Sequence, residues 1–285
     1  MKTILMLTDF SENANHAAKT AAKIALQLNA DILLYNSYYD HPIFPKYASG
    51  PLVVEEFVFR KDESMEQLSW LAIQLRNIAA DMTKNGFIPK IDYQCGEGSL
   101  GKNTAVVIRE NKVGMVVIGG RSHRAAHRFI FGSDTMDVID HASCPVLIIP
   151  SKVEMKELKK VTLAIGFELA DINAISYLSG LGKQLNFQLD IVHVSLPDKN
   201  DNPVKESAIV RHINAIKQDN ITYREISGKD VVKRLNRLCK DDDSGMLALV
   251  HHRGGFFSRL SDHSATATAL DNQHRPLMVI PSDMN

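Results

Sequence analysis

The chain is short of cysteine, of net charge and of long apolar runs, and each shortage excludes a class of protein. Its 285 residues contain three cysteines, Cys95, Cys144 and Cys239. An odd number so widely scattered builds neither a disulfide framework nor a thiolate metal site. Thirty-three basic residues balance thirty-three acidic ones, a formal net charge of +0. The molecule therefore has no general attraction for nucleic acid or for an anionic membrane, and any anion site must be local. No window approaches the roughly eighteen apolar residues that a membrane-crossing helix needs. The opening MKTILMLTDF is too short in its apolar part for a signal peptide and is interrupted by Asp9. A cytoplasmic location is the expectation. Walker A, H-E-x-x-H and G-x-S-x-G patterns are absent too, so no catalytic residue is assigned and an enzyme is not expected.

What is present is a globular composition, 45% hydrophobic and 23% charged, in a chain long enough for two domains. The same order of segments occurs twice. CPVLIIPS (144–151) returns as RPLMVIPS (275–282), and KTILMLTDF (2–10) as KKVTLAIGF (159–167). LNADILLYNS is echoed by LDIVHVS, and MVVIGG by LALVHH. The chain reads as a duplicated domain, residues 1–151 and 159–285, joined by the polar stretch SKVEMKELK.

Within each half, short apolar runs alternate with helical periodicity. Strands are expected at Thr3–Leu7, Asp31–Asn36, Ile88–Tyr93, Met115–Ile118 and Val146–Ile149. They alternate little, as befits parallel strands covered on both faces. Ala14, Ala17, Ala18, Ala21, Ala25 and Leu28 form one apolar stripe of a first helix, with Ser11 or Asn13 to cap it and Asn29 near its end. Further helices are expected at Glu63–Lys84, Thr104–Asn111 and Thr135–Ala142, and the second half repeats the plan, including a helix over Ser264–Asp271. The fold class is α/β: two similar doubly wound, Rossmann-like parallel-sheet domains with right-handed crossovers. Ligands of such sheets sit beyond the carboxyl ends of the strands.

One such end reads GGRSHRAAHRFIFGSD, residues 119–134. Gly119 lets a ligand lie close to the chain, and Gly132-Ser133 opens a helix whose amides and partial positive charge suit phosphate. Arg121, Arg124 and Arg128, with His123 and His127, add positive charge; a solvated basic turn is the plainer alternative.

The run IGGRSHRAAHRFIFGSDTMDVIDHASCPVLIIP resembles the C-terminal signature of the universal stress protein family, a strand ending in G-x2-G-x9-G-[ST], a helix and a CPVL-type last strand. ILMLTDFSENANHA resembles that family's opening strand and Ala-rich helix. The resemblance implies a tandem member with an adenine nucleotide alpha hydrolase-like fold. It also implies a site for ATP or another adenine nucleotide, with or without Mg. By that resemblance Asp9 lies near base and ribose, and the Asn36 main chain meets the adenine. Ile118 and Gly119 line the ribose and phosphate path, and Gly132, Ser133 and Asp134 face the phosphates.

The chain departs from the pattern at Ser122, which stands at the second motif glycine. Were the backbone there left-handed, serine would cost about 1 kcal/mol. In the second half Gly166 replaces Asp9, Val250 or His251 replaces Gly119, and His263 replaces Gly132, so that half is expected to be degenerate. His251, His252 and His263 lack a suitably spaced acidic or Cys partner, and no metal site is assigned. The final strands VLIIP and LMVIP resemble those through which the family dimerises. An intramolecular pairing of the two halves through them is expected, with further homodimerisation open. A nucleotide-free interaction scaffold and a weak ATPase or autophosphorylating protein are the alternatives.

Overall fold

A computed structural model describes residues 3–38, 52–83, 86–123, 128–130, 133–151, 158–197, 203–216, 218–251 and 275–284. The chain divides into two compact units, Met1–Gly119 with Gly132–Ala142, and Gly120–Phe131 with Ser143–Asn285.

The first unit alternates strand and helix: β1 (Thr3–Leu7), α1 (Glu12–Leu28), β2 (Asp31–Tyr38), α2 (Leu52–Met82), β3 (Ile91–Glu97), α3 (Leu100–Asn111) and β4 (Val113–Gly119). β1 pairs in parallel with β2 on one side and β4 on the other, and β2 pairs in parallel with β3, giving the order β4-β1-β2-β3. Ile4, Leu5, Met6 and Leu7 are all buried, which explains a strand without alternation. α1 owes its ends to local chemistry. The Ser11 hydroxyl accepts from the Ala14 N–H at 3.2 Å, and Asn29 closes the helix at φ 47°. Its stripe of alanines is almost wholly buried, and such small side chains allow a helix to lie close to its sheet.

Two short strands follow, β5 (Arg121–His123) and β6 (Arg128–Ile130), then α4 (Ser133–His141), which belongs to the first unit. β5 and β6 pair antiparallel with Ser122 opposite Phe129, an arrangement that no reading of the basic stretch as a turn anticipates.

Besides β5 and β6, the second unit holds β7 (Val146–Ile149), β8 (Lys160–Ile165), α5 (Ala170–Leu185), β9 (Gln188–Ser195), α6 (Pro203–Ala215), β10 (Ile221–Ser227), α7 (Val231–Asp241), β11 (Met246–His251) and β12 (Leu277–Pro281). Its strand order is β10-β9-β8-β11-β12-β7. All contacts are parallel except the last, where Leu277, Met278 and Val279 oppose Ile148, Leu147 and Val146 in antiparallel register.

The fold class is as expected, with small shifts of boundary. β3 begins three residues later than the apolar run suggests, leaving Ile88 outside the strand and exposed. α2 begins eleven residues earlier than its periodicity, and α3 starts at Leu100 because Ser99 supplies a cap to the Lys102 N–H. The helix expected at Ser264–Asp271 lies outside the described residues. Among the described residues no helix is long and apolar enough to cross a membrane.

Candidate functional site

In the first unit the chain runs from β1 to β2 and β3 on one side, then returns to β4 on the other. The order reverses between β1 and β4, so the crevice for a ligand opens beyond the ends of those two strands. Asp9 follows the end of β1 and Gly119 ends β4.

The chain leaves β1 through a tight turn. Thr8 extends the ladder, its N–H donating to the Tyr35 carbonyl at 2.9 Å. Phe10 then takes φ 61°, a left-handed backbone that bulky residues rarely adopt. The Phe10 N–H donates to Thr8 Oγ1 at 3.0 Å, and the Ser11 N–H donates to Asp9 Oδ1 at 3.1 Å. The Ser11 hydroxyl also donates to Asp9 Oδ1, at 2.5 Å. Asp9 thus stands exposed while organising the entry to α1.

Asn36 is buried. Its amide donates to the Thr8 carbonyl at 2.8 Å, and its oxygen accepts from the Ser64 hydroxyl at 2.8 Å. The side chain ties β1, β2 and α2 together, so a ligand contact from this position falls to the main chain. Beside it, burial first, then neighbouring Cys95 and Tyr38, push the Tyr35 phenol up to about 12, against the pull of a hydrogen bond with Asn103. At neutral pH the phenol stays protonated.

Ile118 is buried in β4 opposite Leu7. Gly119 has a steric reason of its own. A Cβ there would stand 2.9 Å from the Asn13 carbonyl oxygen and 3.0 Å from the Ala14 nitrogen. The close approach that the glycine serves in this structure is that of the first turn of α1.

At α4, Ser133 is the first helical residue and is exposed, and its hydroxyl faces Asp134 Oδ1 at 3.4 Å. Asp134 is the acidic residue of the helix's first turn, where a carboxylate complements the helix dipole and competes with any other anion. Ser122 lies in a paired strand, so the left-handed cost does not arise. Gly132, Arg124 and His127 lie outside the described residues.

The sequence pattern gives no sign of Asp137. From α4 it accepts the Ser99 hydroxyl at 2.6 Å and the Gly101 N–H at 2.8 Å, both on one carboxylate oxygen. A Cβ on Gly101 would fall 2.3 Å from the Asp137 carbonyl oxygen, so that glycine is what lets α3 and α4 meet. The one signal along the chain is Ser99 ahead of a helical pattern.

In the second unit a constant offset of 157 residues carries Asp9 to Gly166, Asn36 to His193 and Asn29 to Asn186. His193 repeats the bracket of Asn36: its Nδ1 lies 3.1 Å from the Ile165 carbonyl, which only an N–H can satisfy. Phe167, at φ 57° like Phe10, is buried and stacks on His193 with ring centroids 4.0 Å apart. Strand register settles the remaining equivalence, since Ile118 opposes Leu7 and Leu249 opposes Ala164, so the place of Gly119 falls to Val250. His252 and His263 lie outside the described residues.

Comparison with known proteins agrees with this architecture. A Thermus aquaticus universal stress protein is 28% identical over 148 residues, 52% of this chain and 98% of that protein. The solved structure of a universal stress protein from Archaeoglobus fulgidus covers 98% of this chain and 98% of its own, with a TM-score of 0.71 at 14% identity. A putative universal stress protein from Pseudomonas aeruginosa covers 99% of this chain and 94% of its own, with a TM-score of 0.58 at 14% identity. These two structures bear on the fold alone. The family profile described as "Universal stress protein family" matches residues 1–150, more than half of the 285 residues; the chain belongs to the universal stress protein family.

Proposed function

We propose that the first copy binds an adenine nucleotide, ATP foremost, and that the protein is a cytoplasmic regulator in a stress response. The observation that carries this reading is the exposed Asp9 carboxylate at the strand-order reversal, two residues beyond the level where Leu7 pairs with Ile118 of β4 and Tyr35 of β2. In this reading Asp9 accepts hydrogen bonds from the ribose and the Asn36 main chain meets the base. Ile118 and Gly119 flank the ribose and phosphate path. Ser133 turns its hydroxyl and the leading amides of α4 to the phosphates; Gly132 and Ser122 are assigned to the same ligand by the family resemblance. The residues fit such a group: the acid is solvent-facing, and the α4 amino terminus carries an exposed hydroxyl. A nucleotide bound there would supply phosphate oxygens as acceptors for the Ser133 hydroxyl and the leading amides of α4, with Mg offsetting part of its charge.

The second copy serves as a built-in partner. Antiparallel register of Leu277–Val279 with Val146–Ile148 supports a pairing through the final strands, and a further homodimer is compatible with it.

Thermal unfolding with and without Mg-ATP tests the reading. Ligand at one hundred times its dissociation constant adds about 2.7 kcal/mol, a shift of several degrees. Asp9→Ala should weaken binding by about tenfold to a hundredfold, the worth of a charge-assisted hydrogen bond. No shift with the unmutated protein would leave the scaffold reading. That rival draws support from Asp134, whose carboxylate already faces Ser133 at the helix end.

A further inference from the structure

The two copies differ by a paired exchange at the end of their first strands. The same offset that carries Asp9 to Gly166 carries Ala14 to Asp171. In the first copy the acid projects from the strand end into solvent, and the helix position is an alanine. In the second the strand end bears no side chain, and the acid rises from the first turn of α5. Asp171 is only 1% exposed. Through one oxygen, Oδ2, it accepts the Gly166 N–H at 3.1 Å and the Glu168 N–H at 2.9 Å.

We propose that the Asp171 carboxylate is the resident anion of the β8–α5 turn: an anion site of converging backbone amides, filled from within the fold and thereby closed to anions from solution. The chemistry is that of a small carboxylate. A buried ionised carboxylate is costly unless hydrogen-bonded, and two amides converging on one oxygen at the positive end of a helix supply that. The absence of an acid at residue 166 is not forced by crowding, because a Cβ on Gly166 meets nothing within 4 Å. Phe167, between the two donating residues, holds its left-handed backbone with the carboxylate spanning it. The first copy reaches the same backbone shape with an outward acid, Asp9 accepting the Ser11 N–H. The exchange relocates one negative charge from outside the turn to inside it. This proposal stands whether or not the first copy binds a nucleotide.

Its test is rescue by an added anion in the full-length protein. Melting temperatures would be measured for the unmutated chain, Asp171→Ala, Asp171→Asn and the double variant Gly166→Asp/Asp171→Ala. Each would be run in sodium formate and in sodium chloride at equal ionic strength. Asp171→Ala should melt lower by roughly 5 °C or more. Formate, not chloride, should return part of that loss in Asp171→Ala and leave the unmutated chain unmoved. The double variant should recover part without formate, since an acid at 166 can reach the 168 amide as Asp9 reaches that of Ser11. Formate acting equally on both proteins would overturn the proposal. If Asp171→Ala does not fold, Asp171→Asn decides: melting below the unmutated chain supports a resident charge, and equal stability overturns it.

Discussion

By strand register, Asn36 and His193 stand at one place in the two copies and perform one task, donating to the main-chain carbonyl of Thr8 and of Ile165. Phe10 and Phe167 likewise share a left-handed backbone at 61° and 57°. Around these shared features the surroundings differ. In the first copy the turn faces solvent with Asp9 exposed, and Gly119 admits the first turn of α1. In the second, Phe167 is buried against His193, Asp171 occupies the turn from within, and Val250 replaces the glycine. The two halves share the hydrogen bonds that hold strand to strand and differ in the groups around the strand end. Strand pairing is demanded by the fold in both copies, because buried peptide groups must be satisfied. The strand end is open in the first copy and filled in the second.

The contrast between the phenylalanines gives the largest expected effect. Phe167→Ala removes a ring that is 3% exposed and stacked on His193, at a cost of about 3–5 kcal/mol. Phe10→Ala removes a partly exposed ring and should cost under about 1 kcal/mol. Chemical denaturation of the two variants measures both, and equal losses would erase the distinction between a filled and an open turn.

Gly119→Val places the second copy's residue in the first. The Asn13 and Ala14 main chain stands in its way, and overpacking of this kind costs roughly 1–3 kcal/mol. Val250→Gly in the second copy should leave a void rather than relieve a clash, so both changes should lower the melting temperature. A neutral Gly119→Val would show that α1 can retreat freely.

Asp137→Asn is expected to cost about 1–2 kcal/mol, because one oxygen serves the Ser99 hydroxyl and the Gly101 N–H at the start of α3. In the second copy α7 is capped by the residue that immediately precedes it, Asp230, which accepts the Lys233 N–H at 3.0 Å. Asp230→Asn should therefore cost less, an asparagine being nearly as good a cap.

The smallest effect is one of pH. In the second copy the Arg224 guanidinium, hydrogen-bonded to Asp242, holds that carboxyl below its ordinary 3.8, against the opposing effect of burial, with help from Lys160. A depressed folded value means that the contribution is fully present above the unfolded value and disappears as pH falls through the folded one. Melting of the unmutated chain and of Asp242→Asn should differ most near about pH 6 and converge in acid below the ordinary carboxylate range. A gap that widens on acidification would reverse the sign and remove the ion pair from the account.

Much of this is legible along the chain itself. The alternation of strand and helix, Ser11 and Asn29 at the ends of α1, and Thr3–Leu7 and Val146–Ile149 as strands all rest on neighbours in sequence. The position of Asp9 at a strand end is legible for the same reason. Less is legible where the partner is distant. Ser99 and Asp137 are 38 residues apart, and the ties of Asn36 to Thr8 and to Ser64 each span 28 residues. In sequence Asp171 is one more acid in a helical pattern; only the folded turn brings its oxygen to two amides.

The amino-acid sequence by itself determined the order of elements and the family, because periodicity and caps are local and are written along the chain. Tertiary structure alone decided which side chains are spent inside the protein: Asn36 as a bracket, Gly119 as clearance for a helix, Asp171 as an internal anion. A buried polar group takes whichever partner the folded chain brings within reach, and that reach is set by how helices pack on the sheet rather than by spacing in sequence.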